Sequence, residues 1–293
     1  MRSADATTTQ NVDDGDVDTT LPQGRLEVTR LSRAIGAVVR GADLRKPLES
    51  EGVARIRHAL SEHHVLFFRG QLLSDREQCA LASQFGELLV SPIHELIGSD
   101  QRVSVIEDTP QRPPAGFDWH TDLSWTASPP RYGFLNALDI PAFGGDTLWA
   151  SLAAAYETLP PATREICEGL RVVHRFDSSL LASVERHHGE ELARRLVAEH
   201  PPVEHPLVTV DPASGHRRLF VSPLYNERIV GLRRAESDRL LADLRRAIED
   251  PHVQIRWHWR RGDVAIWDEA ATCHRALTDH FPQTRKMRRC VIT

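Results

Sequence analysis

The alternation of hydrophobic and polar residues along this chain predicts a series of short β-strands. Residues 253–259 (VQIRWHW) alternate strictly: Val253, Ile255, Trp257 and Trp259 share one face, and polar side chains occupy the other. That period of two is typical of a strand with one buried face. More continuously apolar runs predict further strands at 64–68, 132–138, 205–210, 264–267 and 287–292.

Two segments carry helical signals instead. Val53, Ile56 and Leu60 recur at helical spacing and predict a helix around 53–60. Ser74, with Glu77 three positions later, has the pattern of a capping box, so we expect a helix to begin there and to end at Gly86.

The strands outnumber the helices, and neither an internal repeat nor a linker divides the chain. We therefore predict a mainly β fold with peripheral helices, in which the strands form a jelly-roll-like antiparallel barrel. Residues 1–24 are rich in Thr and Asp and offer little to bury, which predicts a disordered N-terminal tail. Residues 25–293 are predicted to form a single domain.

Composition narrows the class of partner. The net charge of -5 gives no electrostatic case for binding nucleic acid or an anionic membrane, which favours small-molecule chemistry. The four cysteines have neither close pairs nor zinc-ribbon spacing, as expected in a reducing compartment. No secretory signal core or membrane-length apolar run is visible, so we expect a cytoplasmic protein.

The segment WHTDLSW at 119–125 is the first candidate for chemistry. On a β-strand His120 and Asp122 would project from the same face. Two histidines and one carboxylate on one face of a metal are the ligand set of non-heme iron(II) oxygenases. His274 is the best third ligand, because it follows one predicted strand and precedes another, so it can approach the HxD segment from a neighbouring strand. His258 competes, but it lies on the polar face of its strand, towards solvent. The pattern alone also fits ordinary surface or core histidines.

The arginines after His274 are a second candidate. If 285–292 is a strand, Arg285, Met287 and Arg289 share a face and Arg288 takes the other. A planar guanidinium suits a co-substrate carboxylate better than an ammonium group does. The alternative is a solvated basic edge that discourages strand pairing.

Six segments of the chain together resemble a known family. They are IGAVVRGADL (35–44), HHVLFFRGQ (63–71), WHTDLSW (119–125), GGDTLW (144–149), IRWHWRRGDVAIWD (255–268) and the block 274–289. From about Leu26 to the C-terminus, the chain is similar to the iron(II)- and 2-oxoglutarate-dependent dioxygenases that include taurine dioxygenase and 2,4-dichlorophenoxyacetate dioxygenase.

The resemblance implies a double-stranded β-helix core and three reactants: Fe(II), 2-oxoglutarate and O2. It makes His120, Asp122 and His274 the metal ligands. It also implies that Arg285 and Thr147 bind the distal carboxylate of 2-oxoglutarate. The implied reaction couples decarboxylation of 2-oxoglutarate to oxidation of a substrate C–H bond.

On the substrate side, the resemblance implies that Arg289 meets an anionic group of a small substrate. Leu123 and Tyr225 would line the same pocket, although Tyr225 also fits plain core packing. Ser91 and His94 occupy positions where taurine dioxygenase has a histidine and a tyrosine. His94 either contacts substrate or sits on a mobile loop.

These two positions, together with Gly116 in place of an asparagine, argue against taurine itself. We therefore expect oxidation of a small acidic compound, with natural-product tailoring, such as of a terpenoid lactone, as one interpretation. The alternative within the family is a sulfonate, alkyl sulfate or aryloxyalkanoate dioxygenase. Outside the family, the same residues would fit a metal-dependent hydrolase or a non-catalytic barrel that binds a small acid. Relatives commonly form dimers or tetramers.

Overall fold

The structure, a computed structural model, describes residues 26–114, 117–212 and 214–293. The predicted N-terminal tail and Gly116 lie outside these ranges. The strands of the described part are β1 (Glu27–Arg30), β2 (Ala37–Arg40), β3 (Val65–Phe68), β4 (Ser104–Asp108), β5 (Tyr132–Asp139), β6 (Thr147–Ser151), β7 (Arg171–His174), β8 (Val203–Pro206), β9 (Val208–Val210), β10 (Arg217–Leu219), β11 (Asn226–Ile229), β12 (Gln254–Trp257), β13 (Val264–Asp268), β14 (Thr272–Ala276) and β15 (Arg285–Ile292).

Helices stand between these strands and cover them. They are α1 (Ser50–His63), α2 (Asp75–Ser83), α3 (Pro92–Leu96), α4 (Leu152–Thr158), α5 (Pro161–Cys167), α6 (Ser178–His188), α7 (Glu190–Glu199) and α8 (Arg234–Ile248), with a 3-10 turn at Pro251–Val253. Of the helices within the described ranges, none combines the length and the hydrophobicity that crossing a bilayer requires.

Two sheets face each other across an aromatic core. The larger sheet has the strand order β1-β2-β3-β13-β5-β15-β4, and the smaller has the order β12-β6-β14. Phe67 of the larger sheet stacks on Trp257 at 4.0 Å between ring centroids and meets Trp149 edge-on at 5.4 Å. Because both tryptophans belong to the smaller sheet, these rings fill the space between the layers. The predicted mainly β, jelly-roll fold is confirmed.

The outer faces of both sheets are covered by helices. Alternate residues of β3, Leu66 and Phe68, point away from the aromatic core and pack with buried residues of α1 and α2. On the other side, α4 and α8 cover Ala150 of β6 and Cys273 of β14. A strand that is buried on both faces has a continuous run of apolar residues in its sequence. The segments 64–68 and 264–267 could therefore be predicted as strands.

The predicted elements outside the segment 119–125 are mostly confirmed, with two corrections. The helix at 53–60 exists as α1, and Ser74 and Glu77 form a capping box at the start of α2. The segment 205–210 was predicted as one strand, but Leu207 separates β8 from β9, which pair in different sheets.

The predicted end of α2 at Gly86 is wrong. The helix ends at Ser83 with Gln84 as its C-cap. Gly86 is required for space: a Cβ there would lie 2.3 Å from the carbonyl oxygen of Thr293.

Candidate metal centre

The backbone brings His120 and His274 face to face. His120 N–H donates to the His274 carbonyl at 3.0 Å, and His274 N–H donates to the His120 carbonyl at 2.8 Å. His274 lies on β14, whereas His120 forms only this isolated bridge. The strand predicted for His120 and Asp122 is therefore wrong: after the bridge the chain turns, and Leu123 adopts φ +52°. The turn, rather than a pleat, directs the Asp122 carboxylate to the histidines.

The three predicted ligand side chains converge. One ligand atom from each of His120, Asp122 and His274 lies within 4.8 Å of the other two. Asp122 Oδ1 is 3.6 Å from His120 Nε2 and 3.8 Å from His274 Nε2. All three residues are at most 9% exposed.

The protonation pattern of this triad fits a divalent cation. His120 Nδ1 lies 2.7 Å from the Asp118 carbonyl, which can only accept, so Nδ1 carries a proton and Nε2 is the ring nitrogen available to a metal. Burial, followed by His120, lowers the pKa of His274 to about 3, so the His274 imidazole is neutral. An imidazole lone pair and a carboxylate oxygen repel each other at this distance unless a cation lies between them. Neutral imidazoles and a carboxylate are the ligands that iron(II) accepts.

Asp122 stays ionised although it is buried. Burial raises its pKa, but the positive charge of Arg289, together with His274 and His120, more than offsets that effect and lowers it overall. Arg289 Nη2 lies 2.6 Å from Asp122 Oδ2. One oxygen of Asp122 thus faces the imidazoles and the other faces the guanidinium.

Two supports of the ligands were not recognised in the sequence. The carboxylate of Asp118 is held by both terminal nitrogens of Arg245 on α8, at 2.6 and 3.1 Å, which fixes the carbonyl that orients His120. Glu269 accepts the Asp122 backbone N–H at 3.1 Å. Burial, reinforced by the charge of Asp122, raises the pKa of Glu269. The role of neither acid could be assigned from sequence spacing, because Asp118 depends on an arginine of the distant helix α8 and Glu269 contacts the turn at Asp122.

The predicted co-substrate residues lie beside each other. Arg285 is 3% exposed; its Nε donates to the Gly145 carbonyl at 2.9 Å and its Nη2 to Thr147 Oγ1 at 3.4 Å. Trp259 Nε1 also donates to that hydroxyl oxygen, at 3.0 Å. With two donors on its oxygen, Thr147 can direct its own O–H towards a carboxylate. Because Arg285 is buried, it does not belong to a solvated basic edge, which was the alternative interpretation of these arginines.

The predicted substrate residues divide into two groups. Arg289 and Tyr225 adjoin the triad; the Tyr225 ring lies edge-on to His120 at 6.1 Å between centroids. Burial raises the pKa of Tyr225, so its phenol is neutral. Leu123 follows Asp122 directly. In the described residues, Ser91 and His94 make no hydrogen bond or ion pair with the triad: Ser91 is the N-cap of α3, and His94 Nδ1 lies 3.0 Å from the Gln101 carbonyl.

An apolar cluster borders the substrate side of the triad. It contains Tyr225 and Trp125 together with buried residues of α3, α6 and α7, and Leu123 packs against it. The predicted orientation of His258 is confirmed: its ring is exposed, and its Nδ1 lies 2.8 Å from Asp146 Oδ2, away from the triad.

Comparison with known proteins is consistent with this geometry. A family model described as taurine catabolism dioxygenase TauD, TfdA family, matches residues 27–291. The chain is 36% identical to an alpha-ketoglutarate-dependent sulfate ester dioxygenase of Pseudomonas putida, over 91% of this chain and 89% of that protein. It is 30% identical to pentalenolactone F synthase of Streptomyces avermitilis, over 92% and 94%. A crystal structure of a taurine dioxygenase from Burkholderia xenovorans superimposes with a TM-score of 0.76 at 36% identity, covering 91% of this chain and 90% of that one.

Proposed function

The chain belongs to the TauD/TfdA family of dioxygenases, and from this premise we propose that it oxidises a C–H bond of a small anionic organic compound. It is a 2-oxoglutarate-dependent dioxygenase, with Fe(II) as its metal and O2 as its second co-substrate. The observation that carries this function is the convergence of His120, Asp122 and His274 around a space suited to a cation, next to buried Arg285.

The bound Fe(II) and 2-oxoglutarate supply the oxidising chemistry: O2 and 2-oxoglutarate give succinate and CO2, and the second oxygen atom enters the substrate. The chain's own residues provide binding and orientation. His120, His274 and Asp122 would hold the metal on one side and leave its other side open. Arg285 and the Thr147 hydroxyl would fix the distal carboxylate of 2-oxoglutarate by charge-assisted hydrogen bonds.

Arg289 is the residue that supports an anionic substrate. It lies on the same strand as Arg285. Its side chain is 26% exposed, and its Nη2 contacts the Asp122 carboxylate. A substrate acid beside it would place the adjacent carbon near the metal, while Leu123 and Tyr225 offer an apolar wall. Ser91 and His94 remain candidates on α3 for the far end of the substrate.

Two substrate classes fit these features equally. The similarity to a sulfate ester dioxygenase supports an alkyl sulfate or sulfonate. The similarity to pentalenolactone F synthase supports tailoring of a terpenoid acid or lactone. Aryloxyalkanoates are a third acid of similar size. The partner is thus a small molecule, and the net charge of -5 supports neither nucleic acid nor a membrane.

A cytoplasmic location and a homodimeric or homotetrameric state belong to the same proposal. The four cysteines are free thiols, which supports a reducing compartment. The oligomeric state is supported only by the resemblance to the family.

A succinate-release screen tests the substrate proposal. The purified protein, with Fe(II), 2-oxoglutarate and O2, is offered a panel of alkyl sulfates, sulfonates, aryloxy acids and terpenoid acids. We expect succinate in proportion to an oxidised product for an acid of one class, and none from His120→Ala. Turnover of a neutral analogue that equals turnover of its acid would contradict the anionic-substrate proposal.

A further inference from the structure

A partly buried acid, Asp108, and a buried histidine, His280, lie beside the proposed co-substrate arginine. Asp108 of the edge strand β4 is the register partner of Arg285 on β15. Asp108 Oδ2 lies 4.0 Å from Arg285 Nη1 and 3.4 Å from His280 Nε2. One carboxylate oxygen therefore faces both groups and is nearer to the histidine.

These contacts leave hydrogen-bonding capacity unused. The 4.0 Å separation exceeds the roughly 2.7–2.9 Å of a charge-assisted hydrogen bond, so Arg285 Nη1 can still bind an anion. His280 is 1% exposed, and within the described residues neither of its ring nitrogens has a hydrogen-bond partner. Buried polar groups of this kind are costly unless a partner arrives.

A glycine makes this arrangement possible. Gly145 has φ +70°, and a Cβ at this position would lie 2.9 Å from Arg285 Cδ and 3.3 Å from His280 Nδ1. The loop that carries Thr147 thus admits the guanidinium and the imidazole side by side.

The other nearby charges are already engaged. Asp146 accepts from Arg256 Nε at 2.5 Å and lies 2.8 Å from His258 Nδ1. Asp279 accepts the Gly145 N–H at 2.9 Å. Among the described residues, this leaves Asp108 as the acid that meets both Arg285 and His280.

The charge balance of the site poses a problem for the co-substrate. Burial raises the pKa of Asp108. Arg285, His280 and Arg112 act to lower it, but the effect of burial is larger. A buried guanidinium needs an anion, and Asp108 supplies one when the pocket is empty. When 2-oxoglutarate brings its distal carboxylate, two anions share one guanidinium, and their repulsion has to be offset.

We propose that Asp108 and His280 determine how tightly the distal carboxylate of the co-substrate binds: Asp108 is the internal counter-anion of Arg285, and His280, whose Nε2 lies 3.4 Å from Oδ2, donates its Nε2–H to Asp108 once the co-substrate carboxylate takes over the guanidinium. Both are positioning residues that act through Arg285. The inference rests on the proposed function, because it requires 2-oxoglutarate as ligand. If Asp108 repels the co-substrate carboxylate when His280 is missing, removing Asp108 as well should restore the lost affinity for 2-oxoglutarate. A double variant therefore tests the inference.

Calorimetric titration of the Mn(II)-loaded protein with 2-oxoglutarate tests this directly, without turnover. We expect His280→Phe to raise the Kd about tenfold, since it leaves Asp108 uncompensated. The Kd of the double variant Asp108→Asn/His280→Phe should return to within about twofold of the parent value. The Kd of His280→Gln should stay near the parent value, because glutamine keeps a hydrogen-bond donor. The matched probe is 2-oxopentanoate, which lacks the distal carboxylate and should bind all variants alike.

Three results would overturn the inference. They are an unchanged Kd in His280→Phe, an equal loss of both keto acids, and a double variant that does not recover. If His280→Phe does not fold, Asp108→Asn alone decides: its affinity for 2-oxoglutarate must equal or exceed that of the parent, and a fivefold loss refutes the role of Asp108. A parent protein that binds Mn(II) but not 2-oxoglutarate would instead refute the proposed function.

Discussion

At the scale of single residues, the two oxygens of Asp122 connect the pair of imidazoles to Arg289. Oδ1 faces the two imidazoles, and Oδ2 lies 2.6 Å from Arg289 Nη2. The spacing of WHTD predicted His120 and Asp122 as a pair, and their side chains do lie together. It could not reveal that the chain turns from Asp122 onwards, with Leu123 at φ +52°.

The Arg289 contact leads to a prediction about substrate affinity. Arg289→Gln removes the charge that would meet the substrate acid, so we expect the substrate KM to rise about tenfold or more. Steady-state kinetics measure this effect. Arg288→Gln is the control, because Arg288 lies on the same strand but contacts Asp75; a similar KM change in both variants would argue against a substrate role for Arg289.

A buried histidine near this turn makes stability depend on pH. His174 Nδ1 lies 3.2 Å from the Ser124 carbonyl, and burial, followed by His205, lowers its pKa from 6.5 to about 3. A lowered histidine pKa means that stability is complete above 6.5 and is lost as pH falls towards 3. Between pH 7 and pH 5, His174 alone should reduce the free energy of unfolding by about 2 kcal/mol.

Urea unfolding of the metal-free protein at several pH values measures this loss. His174→Phe, which keeps a ring to stack on Phe220, should show a shallower decline than the parent. The exposed His252→Gln serves as control and should keep the parent's slope. A parent whose unfolding free energy is constant from pH 7 to pH 5 would contradict the buried neutral histidine.

At the scale of elements, apolar strands and capped helices were predictable because their signals are local. The start of α2 rests on Ser74 and Glu77, three residues apart, and β3 and β13 are buried on both faces. The break between β8 and β9 was not predictable, because it depends on which sheet each half joins. The role of Gly86 was missed because its neighbour is the distant C-terminus.

Tight packing between β5 and β13 gives a prediction at this scale. A Cβ at Gly133 would lie 2.2 Å from the buried Trp267 ring, so we expect Gly133→Ala to lower the free energy of unfolding by about 3 kcal/mol. Gly52→Ala on α1 has its nearest neighbour at 3.7 Å and should stabilise the protein by about 0.5–1 kcal/mol. Urea denaturation compares the two variants, and equal effects would contradict the packing described here.

At the scale of the whole molecule, the two facing sheets bring together residues that are far apart in sequence. His120 and His274 meet through a single bridge, and Asp108 meets Arg285 through strand register. The family resemblance implied His120, Asp122, His274 and Arg285 as site residues, because its motifs keep their order and spacing. It did not identify Asp118, Glu269, Asp108 or His280, whose roles arise only when helices, turns and strands pack. The single-domain assignment of 25–293 remains a prediction.

The measurement that tests the central claim most directly is the visible absorption of the protein with Fe(II) and 2-oxoglutarate under anaerobic conditions. If His120, Asp122 and His274 hold the metal and Arg285 anchors the co-substrate beside it, a weak charge-transfer band should appear only when both are present. It should be lost in His274→Ala and should need more 2-oxoglutarate in Arg285→Ala. A parent protein that binds Fe(II) yet gives no band with saturating 2-oxoglutarate would contradict the account and favour a metal-dependent hydrolase.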